Sequence, residues 1–282
     1  MTPSPASRDD ITSERRETKY LVSLGAAGAL VSVLHKHLPL HRFTGPNANP
    51  LPGAHHYVTT IYFDTPSGQH YRAAAAGARS VKVRAREYYD MHPSLAEVAT
   101  SSRDLLRYDP WLWFELKRRS AGRSEKRRFR LGKRDVPAFF EQAASRASTP
   151  PRALAERDAL DETNDELKTI EAYLRHLDEP LSATCLVNYR RVAWQSPDAS
   201  LRITLDLGLS YYAPPADLFA REQPLERELL GKPASVMNDA VVEVKSRVGE
   251  PAWLLAAFLR ANVAPVEFSK FVAATRSIRS HV

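Results

Sequence analysis

Lys82-Val83-Arg84-Ala85-Arg86 places a cation at every second position, with small apolar residues between the cations. Side chains alternate across a β-strand, so this stretch has one basic face and one apolar face. An antiparallel sheet with its polar side in water also alternates, but three like charges on one face repel each other unless an anion lies among them. The stretch therefore favours a strand that faces a polyanion. Similar alternation occurs in Glu115-Leu116-Lys117, Arg202-Ile203-Thr204-Leu205-Asp206 and Glu243-Val244-Lys245.

Composition limits the class of protein. The chain has 282 residues, 43% of them hydrophobic, and a formal net charge of +7, which favours anionic partners. Its single cysteine, Cys185, excludes an intramolecular disulfide, and its strand-like apolar context predicts a buried structural thiol. No stretch approaches the roughly 20 apolar residues of a membrane span, and the polar residues 1–13 do not resemble a signal peptide. We expect a soluble, cytoplasmic protein.

The pattern of hydrophobic residues predicts a mixed α+β chain. The sequence predicts a disordered tail over residues 1–13. We expect residues 14–282 to form a single domain, because predicted strands occur on both sides of the linker-like Thr149 to Glu162. Residues 65–68 are expected to form a turn followed by an Ala-rich link, and His92 to Pro110 an insertion with a short helix from Ser94. The expected strands are 14–22, 57–64, 80–89, 111–119, 126–131, 183–194, 200–209 and 241–248. The expected helices are 24–38, 136–147, 164–177, 252–261 and 268–278.

Strands with one ionic and one apolar face suit a closed antiparallel β-barrel with a polar lumen and helices covering its outside. Carboxylates among the lumen cations either neutralise them or supply oxygen ligands for Mg²⁺ or Mn²⁺. The predicted inward cations are Lys19, Lys82, Arg84, Arg86, Lys117, Lys126, Arg202 and Lys245, and the predicted inward carboxylates are Glu17, Glu115, Asp206 and Glu243.

Seven short motifs in order resemble a known family. The chain is similar to the VTC-type polyphosphate polymerase domain, a branch of the CYTH-like triphosphate tunnel metalloenzymes, over roughly Glu14 to Ile278. Each motif alone is weak, but seven in order with sensible spacing are fairly specific. They are Glu17-Thr18-Lys19-Tyr20, Tyr62-Phe63-Asp64-Thr65, Lys82-Val83-Arg84-Ala85-Arg86-Glu87-Tyr88, Glu115-Leu116-Lys117, Arg202-Ile203-Thr204-Leu205-Asp206, Glu243-Val244-Lys245-Ser246 and Phe268-Ser269-Lys270-Phe271.

The resemblance implies a tunnel in which the γ-phosphoryl group of ATP is transferred onto a growing polyphosphate chain. The residues that it implies for phosphate binding and catalysis are Lys19, Arg84, Arg86, Lys117, Arg202, Lys245 and Lys270, with Lys82, Lys126 and Arg190 as further phosphate ligands. Arg128 or Arg191 is an alternative to Lys126 or Arg190, because the two basic runs leave the strand register open. Glu243 is the implied ligand of Mn²⁺ or Mg²⁺, with Glu17 and Glu115 as additional candidates.

Other functions stay open at the level of sequence. Hydrolases of the CYTH branch carry Glu-x-Glu-x-Lys on their first strand, and Arg15 here replaces the first acid, which favours a transferase over a tunnel triphosphatase. A catalytically silent polyphosphate-binding subunit is a further alternative. Nucleic-acid binding is disfavoured because the basic strands lack interleaved aromatic residues apart from Tyr88 and Tyr89. The eukaryotic relatives bear an SPX domain and membrane helices that this chain lacks, so we expect a separate membrane partner or an anionic lipid surface to contact its basic surface.

Overall fold

The computed structural model describes residues 16–41, 55–77, 80–90, 107–108, 111–120, 123–145, 161–221 and 223–281. The predicted tail, the helix expected from Ser94 and most of the predicted linker lie outside these ranges. The described residues form one antiparallel sheet with helices packed on it, as the α+β prediction requires. The assignment of residues 14–282 to a single domain stays a prediction.

The sheet has ten strands among the described residues. Eight strands follow the order β1-β10-β8-β7-β2-β3-β5-β6, and the short strands β4 and β9 pair with β3 and β8. The predicted strands are confirmed to within a few residues wherever they are described. Their bounds are β1 Arg16–Ser23, β2 His55–Asp64, β3 Ser80–Asp90, β4 Arg107–Tyr108, β5 Trp111–Ser120, β6 Arg123–Gly132, β7 Ser182–Gln195, β8 Leu201–Tyr212, β9 Ser235–Val236 and β10 Asp239–Ser246.

The helices connect and cover these strands. The five predicted helices are present with slightly different ends, and no described helix is long and apolar enough to cross a bilayer. The helix bounds are α1 Leu24–His37, α2 Gln69–Ala75, α3 Val136–Ser145, which follows a 3₁₀ turn at Lys133–Asp135, α4 Asp161–Arg175, α5 Arg227–Leu230, α6 Ala252–Arg260 and α7 Lys270–Arg279.

The predicted turn at residues 65–68 is confirmed, with Gly68 N donating to the carbonyl of Thr65 at 2.8 Å, but helix α2 occupies the Ala-rich segment that the sequence predicts to be a link. Its first main-chain N–H groups donate to the carboxylate of Asp64: His70 N lies 2.8 Å from Oδ1 and Tyr71 N 2.9 Å from Oδ2. A carboxylate near the N-terminus of a helix satisfies donors that have no partner within the helix. Because Asp64 belongs to the end of β2 rather than to the usual capping position, the sequence gives no local signal for this helix.

The prediction of a closed barrel is wrong. The edge strands β1 and β6 are not paired with each other in the described part of the chain. The outer edge of β1 is instead covered by residues 265–266, where Val266 N donates to the carbonyl of Lys19 at 2.8 Å and Pro265 forms a bridge with Tyr20. The alternation of charges specifies which face of a strand is ionic, but it does not specify which edges pair.

The apolar face of the sheet and its helices form the main core. Phe63, Phe114 and Phe129 pack against Phe139 of α3 and Ile170 of α4. A second cluster packs the other half of the apolar face against α1 and α6, through residues such as Leu34, Trp194, Ile203, Val244 and Phe258. Burial of this apolar surface supplies most of the driving force for folding.

Helix α7 lies on the opposite, ionic side of the sheet. Phe271 stacks on Tyr62 with ring centroids 5.0 Å apart, and Phe271 and Ala274 pack against Val58 and Cys185. Cys185 is fully buried, as predicted, and burial raises the pKa of its thiol to about 12. The apolar side of α7 therefore fills one part of the ionic side of the sheet, which brings Lys270 among the charged strands.

A basic cleft as candidate functional site

The sheet is strongly curved. Glu17 on β1 lies 3.6 Å, from Oε2 to Nζ, from Lys117 on β5, although five strands separate β1 from β5 in the sheet order. Such a contact requires the ionic faces to line a concave surface, which we call the basic cleft. Its described charged residues are Lys19, Lys82, Arg84, Arg86, Lys117, Lys126, Arg128, Arg191, Arg202, Lys245 and Lys270, with Glu17, Glu115, Asp206 and Glu243.

Two carboxylates lie together on β1 and β10. Lys19 stands opposite Glu243 in the register, and Glu17 stands opposite Lys245. Lys245 Nζ lies 2.7 Å from Glu243 and 3.9 Å from Glu17, while Lys19 Nζ lies 3.2 Å from Glu17. Carboxylates and cations thus alternate across this pair of strands.

The surrounding cations keep both carboxylates ionised. Burial opposes ionisation of Glu243, but Lys245, Lys19 and further cations hold its pKa well below the ordinary value. Repulsion from Glu243, and then burial, raises the pKa of Glu17, yet Lys245, Lys117 and Lys19 leave it below its usual range. Because the ammonium group of Lys245 contacts both carboxylates, a cation at that position is attracted to both.

A third carboxylate, Glu115, is held by two arginines of β3. Arg84 Nε donates to Glu115 Oε2 at 2.6 Å, and Arg86 Nε lies 3.8 Å from the same oxygen. Glu115 is almost fully buried, and its burial is offset by Arg84 and Arg86, which hold its pKa well below the ordinary value. Glu115 therefore orients the arginines rather than facing the other carboxylates.

Three lysines stand side by side on β3, β5 and β6. Lys82 pairs in register with Lys117, which pairs with Lys126. Burial, together with Lys19, Arg84 and Lys117, lowers the pKa of Lys82 to about 7. Burial, opposed by Glu115 but aided by Arg128, lowers the pKa of Lys126 to about 8. Burial also lowers the pKa of Lys117. The cleft thus holds these ammonium groups in an environment that disfavours their charged form.

Lys270 and Arg191 converge on a fourth carboxylate, Asp206. Arg191 forms a bidentate pair with Asp206, with N–O distances of 2.6 and 2.7 Å, and Lys270 Nζ lies 2.7 Å from Asp206 Oδ2. Both cations also lie over the ring of Tyr189: Arg191 Cζ is 5.3 Å and Lys270 Nζ is 5.2 Å from the ring centroid, within the range of cation–π attraction. Burial opposes the charge on Asp206, but Arg191 and Lys270 lower its pKa.

The segment before α7 is fixed by lysines from two strands. Lys19 Nζ donates to the carbonyl of Phe268 at 3.0 Å, and Lys82 Nζ donates to Ser269 Oγ at 3.1 Å. Ser269 also caps α7, because its Oγ accepts from Val272 N. The start of α7 is thereby anchored on the basic cleft, which places Lys270 opposite β8.

Arg190 is the one predicted phosphate ligand that the structure does not bring to the cleft. It is exposed and stands opposite Tyr57 on the other face of β7, whereas Arg191 lies in the cleft. The regular pairing of β7 with β2 resolves the register left open by Arg190-Arg191, because it puts Arg191 opposite His56 and Arg190 opposite Tyr57. The other predicted residues, Arg202 opposite Lys245 included, face the cleft, and Arg128 joins Lys126 there.

The sequence model of the VTC domain matches residues 14–279. The chain belongs to the VTC domain family. Two solved structures are similar to this VTC domain, both at low sequence identity. One is a proposed adenylyl cyclase from Hippeastrum with a dominant triphosphatase activity. It is 16% identical to this chain, the aligned region covers 93% of this chain and 95% of that protein, and the TM-score is 0.44. The other, a proposed adenylate cyclase from Bacillus halodurans, is 15% identical, covers 92% and 96%, and has a TM-score of 0.45. No curated protein matches significantly.

The acidic residues of this VTC domain suit one kind of metal site. No cluster of three or more His, Cys, Asp or Glu side chains suitable for a metal occurs in the described ranges. Glu17 and Glu243 both contact Lys245 Nζ, whereas Glu115 is engaged by Arg84. Mg²⁺ and Mn²⁺ commonly use one or two carboxylates and complete their shell with water and substrate phosphates. Glu243 and Glu17 therefore fit a divalent ion that binds together with a phosphate ligand.

Proposed function

We propose that this VTC domain is a polyphosphate polymerase, which transfers the γ-phosphoryl group of ATP onto a polyphosphate chain bound in the basic cleft. The observation that carries this proposal is the state of Lys82 and Lys126. Both are half-buried, and neither has a carboxylate within 4 Å in the part of the chain that the structure describes. Partly buried cations without counter-charges destabilise the empty site, and a polyanion removes that cost.

The cleft has the groups that phosphoryl transfer requires. That reaction needs positioning of the nucleophile in line with the leaving group and neutralisation of charge on the transferred phosphoryl oxygens. Arg84 and Arg86 present planar guanidinium groups, which bind phosphate oxygens in pairs, while Lys117 and Lys126 provide compact charges beside them. The terminal phosphate of the polymer is itself the nucleophile, so the protein needs no nucleophilic side chain.

Glu243 and Glu17 would hold a divalent ion, which when bound neutralises charge on the substrate phosphates. Lys245 contacts both carboxylates, so a divalent ion bound there would compete with it. We infer that Lys245 then turns from these carboxylates to the bound phosphate. This exchange keeps the local charge nearly balanced in both states.

The carboxylates of the cleft favour transfer to phosphate over transfer to water. A general base works best with a pKa near the operating pH. The pKa values of Glu17, Glu115, Asp206 and Glu243 are all held below the ordinary value by adjacent cations. None of these groups is well suited to remove a proton from water, whereas a terminal phosphate is already ionised. The replacement of an acid by Arg15 agrees with this reasoning.

The test is an incubation of the purified protein with ATP and Mn²⁺ or Mg²⁺, followed by gel electrophoresis stained for phosphate polymers and by an orthophosphate assay. We expect a metal-dependent ladder that is lost in Glu243→Gln and retained in Arg190→Gln, the matched control outside the cleft. Orthophosphate without a ladder would instead establish a triphosphatase. Binding of polyphosphate without either product would indicate a silent binding subunit.

A further inference from the structure

One end of the basic cleft carries aromatic side chains. The start of β2, the end of β3, the start of β5 and the end of β6 meet there because neighbouring strands are antiparallel. Trp113 stands between Arg86 and Arg130 in the register and lies on the same face as Glu115. Its indole is half-buried, so part of its surface is accessible from the cleft.

Arginines contact this indole and connect it to the phosphate-binding strands. The guanidinium carbon of Arg128 lies 4.6 Å from the centroid of the Trp113 ring, and that of Arg130 lies 5.8 Å away. Both distances are in the range of cation–π attraction. Tyr88 extends the cluster: its hydroxyl lies 3.5 Å from Arg86 Nη1, and its ring centroid lies 5.8 Å from that of His56. Aromatic and guanidinium planes therefore adjoin at this end.

We propose that the Trp113–Arg128 pair, with Tyr88 beside it, binds the base of the nucleoside triphosphate. This inference rests on the proposed function, because it assigns the nucleoside part of the same substrate. Trp113 is two residues along β5 from Glu115, a distance of about 7 Å. That distance leaves room for a ribose between a base stacked on Trp113 and a phosphate bound by Arg84, which stands opposite Glu115.

Stacking accounts for the chemistry of this end better than hydrogen-bonded recognition does. Aromatic rings and guanidinium planes both stack on nucleobases, and every base offers a π-face. A platform of this kind strengthens binding of nucleotides without selecting one base, so ATP and GTP should bind with similar affinity. Inorganic tripolyphosphate, which has the phosphates but no base, gains nothing from Trp113.

The experiment compares two probes on the metal-free protein by titration calorimetry: ATP and inorganic tripolyphosphate. For Trp113→Ala we expect the affinity for ATP to fall about tenfold, the size of one lost base stack, while the affinity for tripolyphosphate stays within about twofold. Trp113→Phe keeps an aromatic face and should retain most of the ATP affinity. Trp253→Ala is the control, because Trp253 is half-buried on α6 and stacks on His37 away from the cleft.

Each outcome decides a separate question. If Trp113→Ala loses affinity equally for ATP and for tripolyphosphate, the indole only holds Arg128 in place. If its affinity for ATP is unchanged, the base does not contact Trp113. Either result overturns the inference. If the wild-type protein binds neither ATP nor tripolyphosphate, the proposed function itself is refuted. If Trp113→Ala does not fold, as judged by circular dichroism, Trp113→Leu with the two probes gives the same comparison.

Discussion

Binding of ATP to the metal-free protein should take up protons at pH 8. With a pKa of about 7, Lys82 is only about 10% protonated there, and Lys126, with a pKa of about 8, is about half protonated. A bound polyanion supplies the missing counter-charge and returns both pKa values toward the ordinary lysine value near 10. The expected uptake is therefore about 0.9 proton at Lys82 and about 0.5 proton at Lys126.

The sign of the pH dependence follows from this uptake. The complex binds more protons than the free protein, so affinity falls as pH rises, by roughly 25-fold per unit near pH 8 for 1.4 protons. The stability of the ligand-free protein depends on pH with the opposite sign. Its unfolded chain binds more protons at Lys82 and Lys126, so their contribution makes the folded state more stable as pH rises from about 7 to about 10.

The assay is titration calorimetry at pH 8 in two buffers with different ionisation enthalpies. Protons exchanged by ATP itself contribute equally to every variant, so the difference between wild type and Lys82→Met isolates the lysine. We expect that difference to be about 0.9 proton, and we expect none for Lys36→Met, a control on the exposed side of α1. Equal uptake by wild type and Lys82→Met would refute the reasoning that Lys82 is mostly a neutral amine at pH 8 and gains a proton when a polyanion binds.

Two further predictions separate the cleft from the opposite face. Arg84→Ala removes a cation from the cleft and leaves Glu115 paired with Arg86. The affinity for tripolyphosphate, measured by calorimetry, should therefore fall at least tenfold. An unchanged affinity would contradict the assignment of the ionic face of β3 to the cleft. Lys133→Met removes the ion-pair partner of the fully buried Glu87, whose Oε1 lies 2.5 Å from Lys133 Nζ. We expect this substitution to lower the free energy of unfolding in urea by about 3–5 kcal/mol. It should not change the affinity for tripolyphosphate. A free energy of unfolding within about 1 kcal/mol of wild type would contradict the reasoning that Lys133 stabilises the folded protein through its pair with Glu87.

The alternating strands could be predicted because their period is local. Lys82, Arg84 and Arg86 lie on one face wherever that strand pairs, and the same holds for Glu243 and Lys245. The pairs formed by these residues were not predictable in detail, since each distance depends on neighbouring strands that are far apart in the sequence.

Features that depend on tertiary context were predicted less well. The choice between Arg190 and Arg191 was left open, because the two cations are adjacent and only the pairing of β7 with β2 fixes which one faces the cleft. Helix α7 has the predicted amphipathic pattern, but the pattern identifies an apolar face and not the side of the sheet on which it packs. Helix α2 depends on Asp64, a carboxylate outside the helix.

The pairing of β1 has a consequence for how the chain folds during synthesis. β1 pairs with β10, which follows it by more than 200 residues, and its other edge is covered by residues 265–266. Contacts so distant in sequence form slowly, and an unpaired strand exposes main-chain groups that other chains can bind. On the ribosome, Arg16–Ser23 must wait until nearly the whole chain has been made. We expect release of incomplete chains to cause aggregation through β1, and the phosphate site to assemble last.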